Sequence, residues 1–218
     1  MLKLYSSWRS SSPYRVRIAL ALKGVPYEYR AVNLLRDGGE QLAPDYLALN
    51  PQGRVPFLVD GDFSIGQSLA IMDYLDARYP QPQLIPRDAQ LRARMWAFCQ
   101  AIVADTQPLQ NLGVFLHLKQ EFHATEEQRN LWARHWIERG LAALEQELGA
   151  AVRDSAYVFG MTPTLADCVL VPQVYNAERY ACDSGRFPNL YALACRLREL
   201  PPFAAAHPDR QPDAQKPA

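Results

Sequence analysis

Ser10, Ser11 and Ser12 stand side by side between a short apolar run, Leu2 to Tyr5, and a segment that reads as a helix. Serines at a helix start satisfy orphan backbone N–H groups, and the remaining N–H groups with the helix dipole favour an anion there. A serine hydroxyl also donates a hydrogen bond to a thiolate or carboxylate. One serine is enough for a cap, so the run is either a cap with spare hydroxyls or the seat of a small anionic ligand. Arg9 precedes it at the C-terminal end of the first strand, where open α/β sheets bind ligands. A guanidinium there suits bidentate capture of a carboxylate. The plainer role is a surface ion pair, which contributes at most about 1 kcal/mol. Arg179 raises the same two possibilities.

Four further runs could carry chemistry or simply structure. Val55-Pro56 opens a strand, a position where proline is tolerated because its missing N–H costs little. The alternative is a cis peptide that turns the Val55 backbone outward to a ligand. About one X–Pro bond in twenty is cis in folded proteins, so the residues alone favour the plain strand opening. Gln67-Ser68 starts a helix after a strand: Ser68 is a fair cap, or its hydroxyl and the helix N-terminus make a carboxylate pocket with Gln67 adding an amide. Gln107-Pro108-Leu109-Gln110-Asn111 interrupts a long helix with polar groups that either line a cleft or satisfy carbonyls released by the proline. Thr164-Leu165-Ala166-Asp167 is a capping box with Asp in place of the usual Glu or Gln, and its role is structural.

The elements that position these residues change in texture along the chain. Leu2 to Tyr5 reads as a strand, Pro13 to Leu22 as an amphipathic helix, Tyr27 to Val32 as a strand and Gln41 to Leu49 as a short helix. Val55 to Val59 and Phe63 to Ile65 form a hairpin about Asp60-Gly61-Asp62, and Ser68 to Tyr79 is a helix. The order is that of an α/β layered module with a mixed sheet. Pro80, Pro82 and Pro86 then mark a boundary. Beyond it the spacing predicts only helices: Asp88 to Leu118 bent at Pro108, Thr125 to Leu148 stopped at Gly149, Thr164 to Ala177, and Leu190 to Leu200. The expected domains are 1–80, a linker at 81–86, a helical domain over 87–210 and a flexible tail at 211–218.

Composition narrows the partners. The 218 residues are 49% hydrophobic and 21% charged, with 23 Lys plus Arg against 23 Asp plus Glu. That neutral balance leaves no footprint for nucleic acid or an anionic membrane. No apolar run approaches the ~20 residues that span a bilayer, and Met1 to Tyr5 offers no signal-peptide core. Cys99, Cys168, Cys182 and Cys195 form no CxxC, and the histidines show no ligand-like pairing. The expectation is a cytoplasmic protein with reduced thiols and no metal.

Taken together, the motifs resemble the glutathione transferase superfamily, and within it the zeta class. The similar pieces are Ser10 to Ser12 with Arg15 to Gly24, Asp37 to Gln41, Leu49-Asn50-Pro51 leading to Val55-Pro56, Gln67 to Ile71, Gln107 to Leu112, Thr164 to Asp167, and Val171 to Arg179. They cover almost the whole chain in order. The resemblance implies an α/β thioredoxin-like N-terminal domain that binds glutathione, plus an all-α C-terminal domain that supplies most of the substrate pocket. It implies a cis Val55-Pro56 bond whose Val55 backbone pairs with the cysteinyl part of glutathione. Gln67 and Ser68 would hold the γ-glutamyl group; Gln41, Gln107 and Asn111 would complete the contacts; Ser10 and Ser11 would face the sulfur. The zeta pattern usually ends Ser-Ser-Cys, and here Ser12 stands in the third place. Chemistry that needs an enzyme thiol is therefore disfavoured, while isomerisation needs only the thiol of glutathione.

The implied activity is glutathione-dependent cis–trans isomerisation of maleylacetoacetate to fumarylacetoacetate, with Arg9 and Arg179 holding the substrate carboxylate and polarising the enolate. Arg15 and Arg17 read as structural residues at the helix surface. Maleylpyruvate is the alternative substrate, and a general transferase acting on α-haloacids is a third reading. A non-catalytic binding module is less favoured because the sulfur-facing hydroxyls and the γ-glutamyl pocket are kept. Members of the superfamily are usually homodimers, and that is the expected assembly.

Overall fold

The computed structural model describes residues 1–215. The chain divides into two compact units, one made of Met1–Leu84 with the segment from Arg198 onward, the other of Ile85–Leu197.

In the first unit, β1 (Leu2–Ser6), α1 (Ser11–Leu22) and β2 (Tyr27–Ala31) form a β-α-β unit with parallel strands, pairing Leu2 with Tyr27 and Ser6 with Ala31. A 3-10 turn at Glu40–Leu42 precedes α2 (Pro44–Leu49), whose first position is the proline. The expected helix from Gln41 is thus two pieces, because Ala43 between them is extended. β3 (Phe57–Asp60) pairs antiparallel with β1 and with β4 (Phe63–Gly66), giving the mixed order β2-β1-β3-β4. Gly61, at φ +60°, makes the hairpin turn. α3 (Ser68–Arg78) packs beside α1. Leu2, Leu4, Leu58, Val16, Ile18, Leu20, Ile71, Met72 and Leu75 fill the core between sheet and helices.

α1 departs from an amphipathic helix. It is buried from Pro13 through Leu20, and Arg15 and Arg17, expected at its surface, are 0% and 1% exposed. The reason lies at the far end of the chain. After α8 (Pro188–Glu199), α9 (Pro201–Ala206) packs along α1 and covers its outer face. A helix enclosed this way has no polar stripe, so each guanidinium must find acceptors inside. Lys23, whose side chain is fully buried, solves the same problem with an ion pair to Asp76 at 2.7 Å and hydrogen bonds to the Tyr79 and Pro82 carbonyls, each at 2.8 Å. The segment after α9 is also tied down: Gln211 Nε2 donates to the Ala205 and His207 carbonyls at 3.2 and 2.8 Å. The end of the expected tail, residues 216–218, lies outside the described residues.

The second unit begins with α4 (Ala89–Gln100), capped by the Asp88 side chain on the Leu91 N–H. The expected single helix to Leu118 is broken. A π-helical turn at Ala101–Thr106 runs into a 3-10 turn at Gln107–Gln110, and Asn111 is extended before α5 (Leu112–Glu121). The bend therefore belongs to the whole 101–111 segment, and Pro108 sits harmlessly in the first turn of the 3-10 piece, where no N–H is needed. α6 (Glu126–Val152) starts at a Thr125/Gln128 capping box and passes straight through Gly149. Gly149 serves close approach: a Cβ there would lie 2.5 Å from Glu145 Oε1. That carboxylate accepts from the Asn189 and Leu190 N–H groups and so caps α8. α7 (Leu165–Arg179) is almost wholly buried. Its Thr164/Asp167 box is reciprocal, and Asp167 also accepts from the Val158 N–H at 2.8 Å. Among the described residues no helix is long and apolar enough to cross a membrane.

Candidate active site

In the first unit the site grows from the end of β1. Ser6 and Ser7 are buried, the Ser10 N–H closes a turn on the Ser7 carbonyl at 3.1 Å, and α1 begins. Ser10 is the N-cap residue by backbone (φ −72°, ψ 127°), yet among the described residues its hydroxyl makes no capping bond. The hydroxyl is thus not spent on the helix. Ser11 is buried, and Ser12 Oγ accepts from Arg15 Nη1 at 3.4 Å. The same Arg15 nitrogen donates to Ser68 Oγ at 3.2 Å. One buried guanidinium therefore joins the first turn of α1 to the first residue of α3. Two helix N-termini joined by a buried cation give this corner of the unit a positive character, which favours a thiolate or carboxylate. Arg9 is exposed, with its guanidinium 5.3 Å from the centre of the Trp8 ring.

The main chain around this cluster is held in uncommon geometry. The Val55–Pro56 peptide is cis, and Val55 lies before the first paired residue of β3. The residues behind it are anchored: the Tyr46 hydroxyl and the Asn50 Nδ2 both donate to the Arg54 carbonyl, at 2.7 and 2.8 Å. Burial pushes the Tyr46 phenol up to about 12, so it stays a neutral donor. Gln67, at φ +67° and ψ 116°, occupies a conformation that costs a non-glycine residue roughly 1–3 kcal/mol. Its Nε2 donates to Gln52 Oε1 at 2.8 Å. Gln41 is buried, and its Oε1 has no hydrogen-bond partner among the described residues. A Cβ on Gly39, at φ +110°, would collide with the Gln41 amide, so the glycine is what lets that side chain fold inward. An unpaired buried acceptor, a spare cap hydroxyl and a strained helix entrance are groups left available for a polar ligand.

The second unit arranges its polar groups as a chain of side chains. Gln107 Nε2 donates to Asn111 Oδ1 across the 3-10 turn. Gln110 points the other way, into the core, where it donates to Gln173 Oε1 at 3.2 Å and accepts from Asn176 Nδ2 at 3.1 Å. Asn176 Oδ1 in turn accepts from Arg179 Nη1 at 3.0 Å. Arg179 is exposed at the C-terminal end of α7, where the dipole favours a cation, and its guanidinium sits 5.4 Å from the Tyr180 ring centre. The structure thus brings Ser12 and Ser68 together through Arg15, and Gln107 and Asn111 directly. Gln110 belongs to the polar run read from the sequence, whereas its partners Gln173 and Asn176 were not singled out as site residues; their signal was a glutamine and an asparagine in the middle of the buried stretch of α7.

A four-stranded mixed sheet of thioredoxin type, with its cis proline and serine-led first helix, followed by a helical bundle, defines a glutathione transferase architecture. Residues 4–83 match the glutathione S-transferase N-terminal domain and residues 124–207 the C-terminal domain. The chain is 48% identical over 213 residues to a maleylacetoacetate isomerase of Pseudomonas aeruginosa, covering 97% of this chain and 98% of that one. It superposes with a TM-score of 0.93 on a holo structure of maleyl pyruvate isomerase, a bacterial zeta-class glutathione S-transferase, at 43% identity over 98% of this chain and 100% of that one. A maleylacetoacetate isomerase of Anaeromyxobacter dehalogenans, with dicarboxyethyl glutathione and citrate bound in its active site, superposes at 0.83 with 44% identity over 100% of this chain and 95% of that one. This chain belongs to the zeta class of the glutathione S-transferase family.

Proposed function

We propose that the chain is a glutathione-dependent cis–trans isomerase of maleylacetoacetate. The observation that carries this reading is the serine-led N-terminus of α1 over a buried guanidinium, in a chain alike over its full length to isomerases that use such substrates. Bound glutathione supplies the thiol that adds to the double bond and leaves again after rotation. Ser10 and Ser11 donate hydrogen bonds toward the sulfur, and with the α1 dipole they lower the pH at which it ionises. Val55, through its main-chain N–H and C=O, orients the cysteinyl unit. Gln67, Ser68 and the Gln41 amide hold the ends of the tripeptide, and Ser12 keeps Arg15 between the two helix starts. Gln107 and Asn111 extend these contacts. Arg9 and Arg179 hold the substrate carboxylate and neutralise the charge that grows on its carbonyl oxygens, the largest lever available to a preorganised site. None of these steps needs a thiol of the enzyme, so Ser12 is compatible with the chemistry.

Maleylpyruvate is the second reading, favoured by the 43% identical maleyl pyruvate isomerase. The two substrates differ in their tails, not at the isomerised bond. A homodimer in the cytoplasm is the setting proposed for either, and sedimentation of the purified protein reads the assembly. The deciding experiment follows isomerisation of maleylacetoacetate and maleylpyruvate in parallel, with and without glutathione. Fast glutathione-dependent turnover of the first supports the proposal. Preference for the second substitutes the alternative, and no turnover of either overturns both.

A further inference from the structure

We propose that the C-terminal segment is a clasp that fixes the entrance to α1, with Asp213 as its positioning residue. The inference rests on the glutathione-activating role given above to that helix start. Asp213 Oδ2 accepts a hydrogen bond from the Trp8 main-chain N–H at 3.1 Å, and Oδ1 accepts one from the Tyr29 hydroxyl at 2.6 Å. One carboxylate near the end of the chain thus holds the loop that follows β1 and pins it to β2. A carboxylate–N–H bond is among the stronger kinds, because the acceptor is charged.

The same loop is gripped from beneath. Arg17 Nη2 donates to the Trp8 carbonyl at 2.8 Å, Nη1 to Ser6 Oγ at 3.1 Å and to the Ser7 carbonyl at 3.4 Å, and Nε to the Ala206 carbonyl at 3.1 Å. Trp8 is therefore held through its N–H by Asp213 and through its C=O by a guanidinium that is itself tied to the end of α9. The segment between is braced by Gln211 on Ala205 and His207, and by the Ala214 N–H on the Gln211 carbonyl at 3.1 Å. Because the Ser10 N–H bonds the Ser7 carbonyl, a shift of the loop carries Ser10 with it. The charged and titratable groups facing the clasp are Arg17, Tyr14, Tyr27 and Tyr29, with His207 and its neighbours Asp209, Arg198 and Arg210 at its edge. Burial lowers the Arg17 pKa, and the Asp213 charge acts against that, so the clasp also supports the cation below the loop.

The clasp has a purpose beyond stability. Loop residues that precede a catalytic helix need positional accuracy, since a displacement of about 1 Å can cost on the order of a hundredfold in rate. Asp213 acts through Trp8, so its loss must alter the ionisation of the thiol rather than only the fold.

The test compares wild type with Asp213→Ala, Asp213→Asn and Tyr29→Phe. The readouts are the pH profile of kcat/KM for glutathione, amide hydrogen exchange at Trp8, and the melting temperature. The expected result is an acid limb moved to higher pH and a loss of about tenfold or more in kcat/KM for Asp213→Ala, with faster Trp8 exchange. Asp213→Asn keeps a neutral acceptor for Trp8 but loses the charge and falls between wild type and Asp213→Ala; Tyr29→Phe, a gentler change should Asp213→Ala not fold, gives a smaller shift of the same sign. An unmoved acid limb in the folded variants, whatever the melting temperature does, overturns the clasp. A wild type without glutathione-dependent turnover overturns the functional reading instead, and Trp8 exchange still reports on the contact.

Discussion

Both units bury neutral amides, but among the described residues only the first buries cations. Arg15 lies beneath the α1 and α3 starts, Arg17 beneath the loop before α1, and Lys23 at the opposite, C-terminal ends of the two helices; all three are buried and held by hydroxyls, carbonyls and one carboxylate, Asp76. In the second unit Gln110 links Gln173 to Asn176, and the buried acid Asp167 is satisfied by N–H and hydroxyl donors, with no cation bonded to it among the described residues. The groups proposed to meet ligands differ in parallel: in the first unit they include the unusual main chain at Val55 and Gln67, in the second a set of side chains ending in Arg179. Main-chain recognition over a positive interior suits one invariant anionic partner, since few single substitutions change it. A relay of side chains suits an acid whose tail varies.

The comparison can be broken most forcefully at Lys23. Replacing it with Met takes the cation from the buried Asp76 carboxylate and releases the Tyr79 and Pro82 carbonyls, and removing one partner of a buried pair costs about 3–5 kcal/mol. Urea unfolding measures it; a loss under about 1 kcal/mol would mean the first unit does not depend on its buried charges. Asp167 supplies the contrasting case. Burial pushes its carboxyl from 3.8 up to about 6, against the pull of its hydrogen bonds. Because the folded value is the higher one, the folded state holds the proton more tightly. Its contribution is complete below about pH 4 and is lost as pH rises through 6, a span worth about 3 kcal/mol. Unfolding free energies of wild type and Asp167→Asn, compared between pH 4 and 7, should show that slope in wild type alone.

The catalytic half of the comparison calls for smaller effects. Ser10→Ala with Ser11→Ala removes the sulfur-facing donors and should lower kcat/KM by about a hundredfold, the usual scale for losing preorganised donors. Arg179→Ala should lower kcat by about tenfold while leaving the KM for glutathione unchanged, because that cation serves the substrate acid and not the tripeptide. Equal effects of both changes on the glutathione KM would erase the division of labour between the units.

Much of this was legible in the sequence because the signals are short-range. The Asp60-Gly61-Asp62 hairpin and the Thr164/Asp167 box each rest on a few adjacent residues, and each forms as expected; the helix after β4 also begins where expected, but with Gln67 at the cap position and Ser68, the expected cap, as its first helical residue. The cis Val55–Pro56 bond was implied only by resemblance, since an isolated Val-Pro favours the trans form. What failed depends on distant chain. Arg15 and Arg17 look like surface residues until α9 covers α1, and Ser12 meets Ser68 only through Arg15. Gly149 resembles a helix stop until the close approach of Glu145 and Asn189 is known. The π-helical turn at Ala101–Thr106 has no breaker in its sequence; its partner is Gly140 of α6, whose missing Cβ makes room for Thr106.

The central claim is that the first unit, through its helix starts and buried cations, ionises the thiol of glutathione. The most direct measurement is the ultraviolet absorbance of the glutathione thiolate in the binary complex as pH is varied. The account predicts that the bound thiol ionises well below the ordinary thiol value of about 8.5. A bound thiol that titrates where free glutathione does would contradict it.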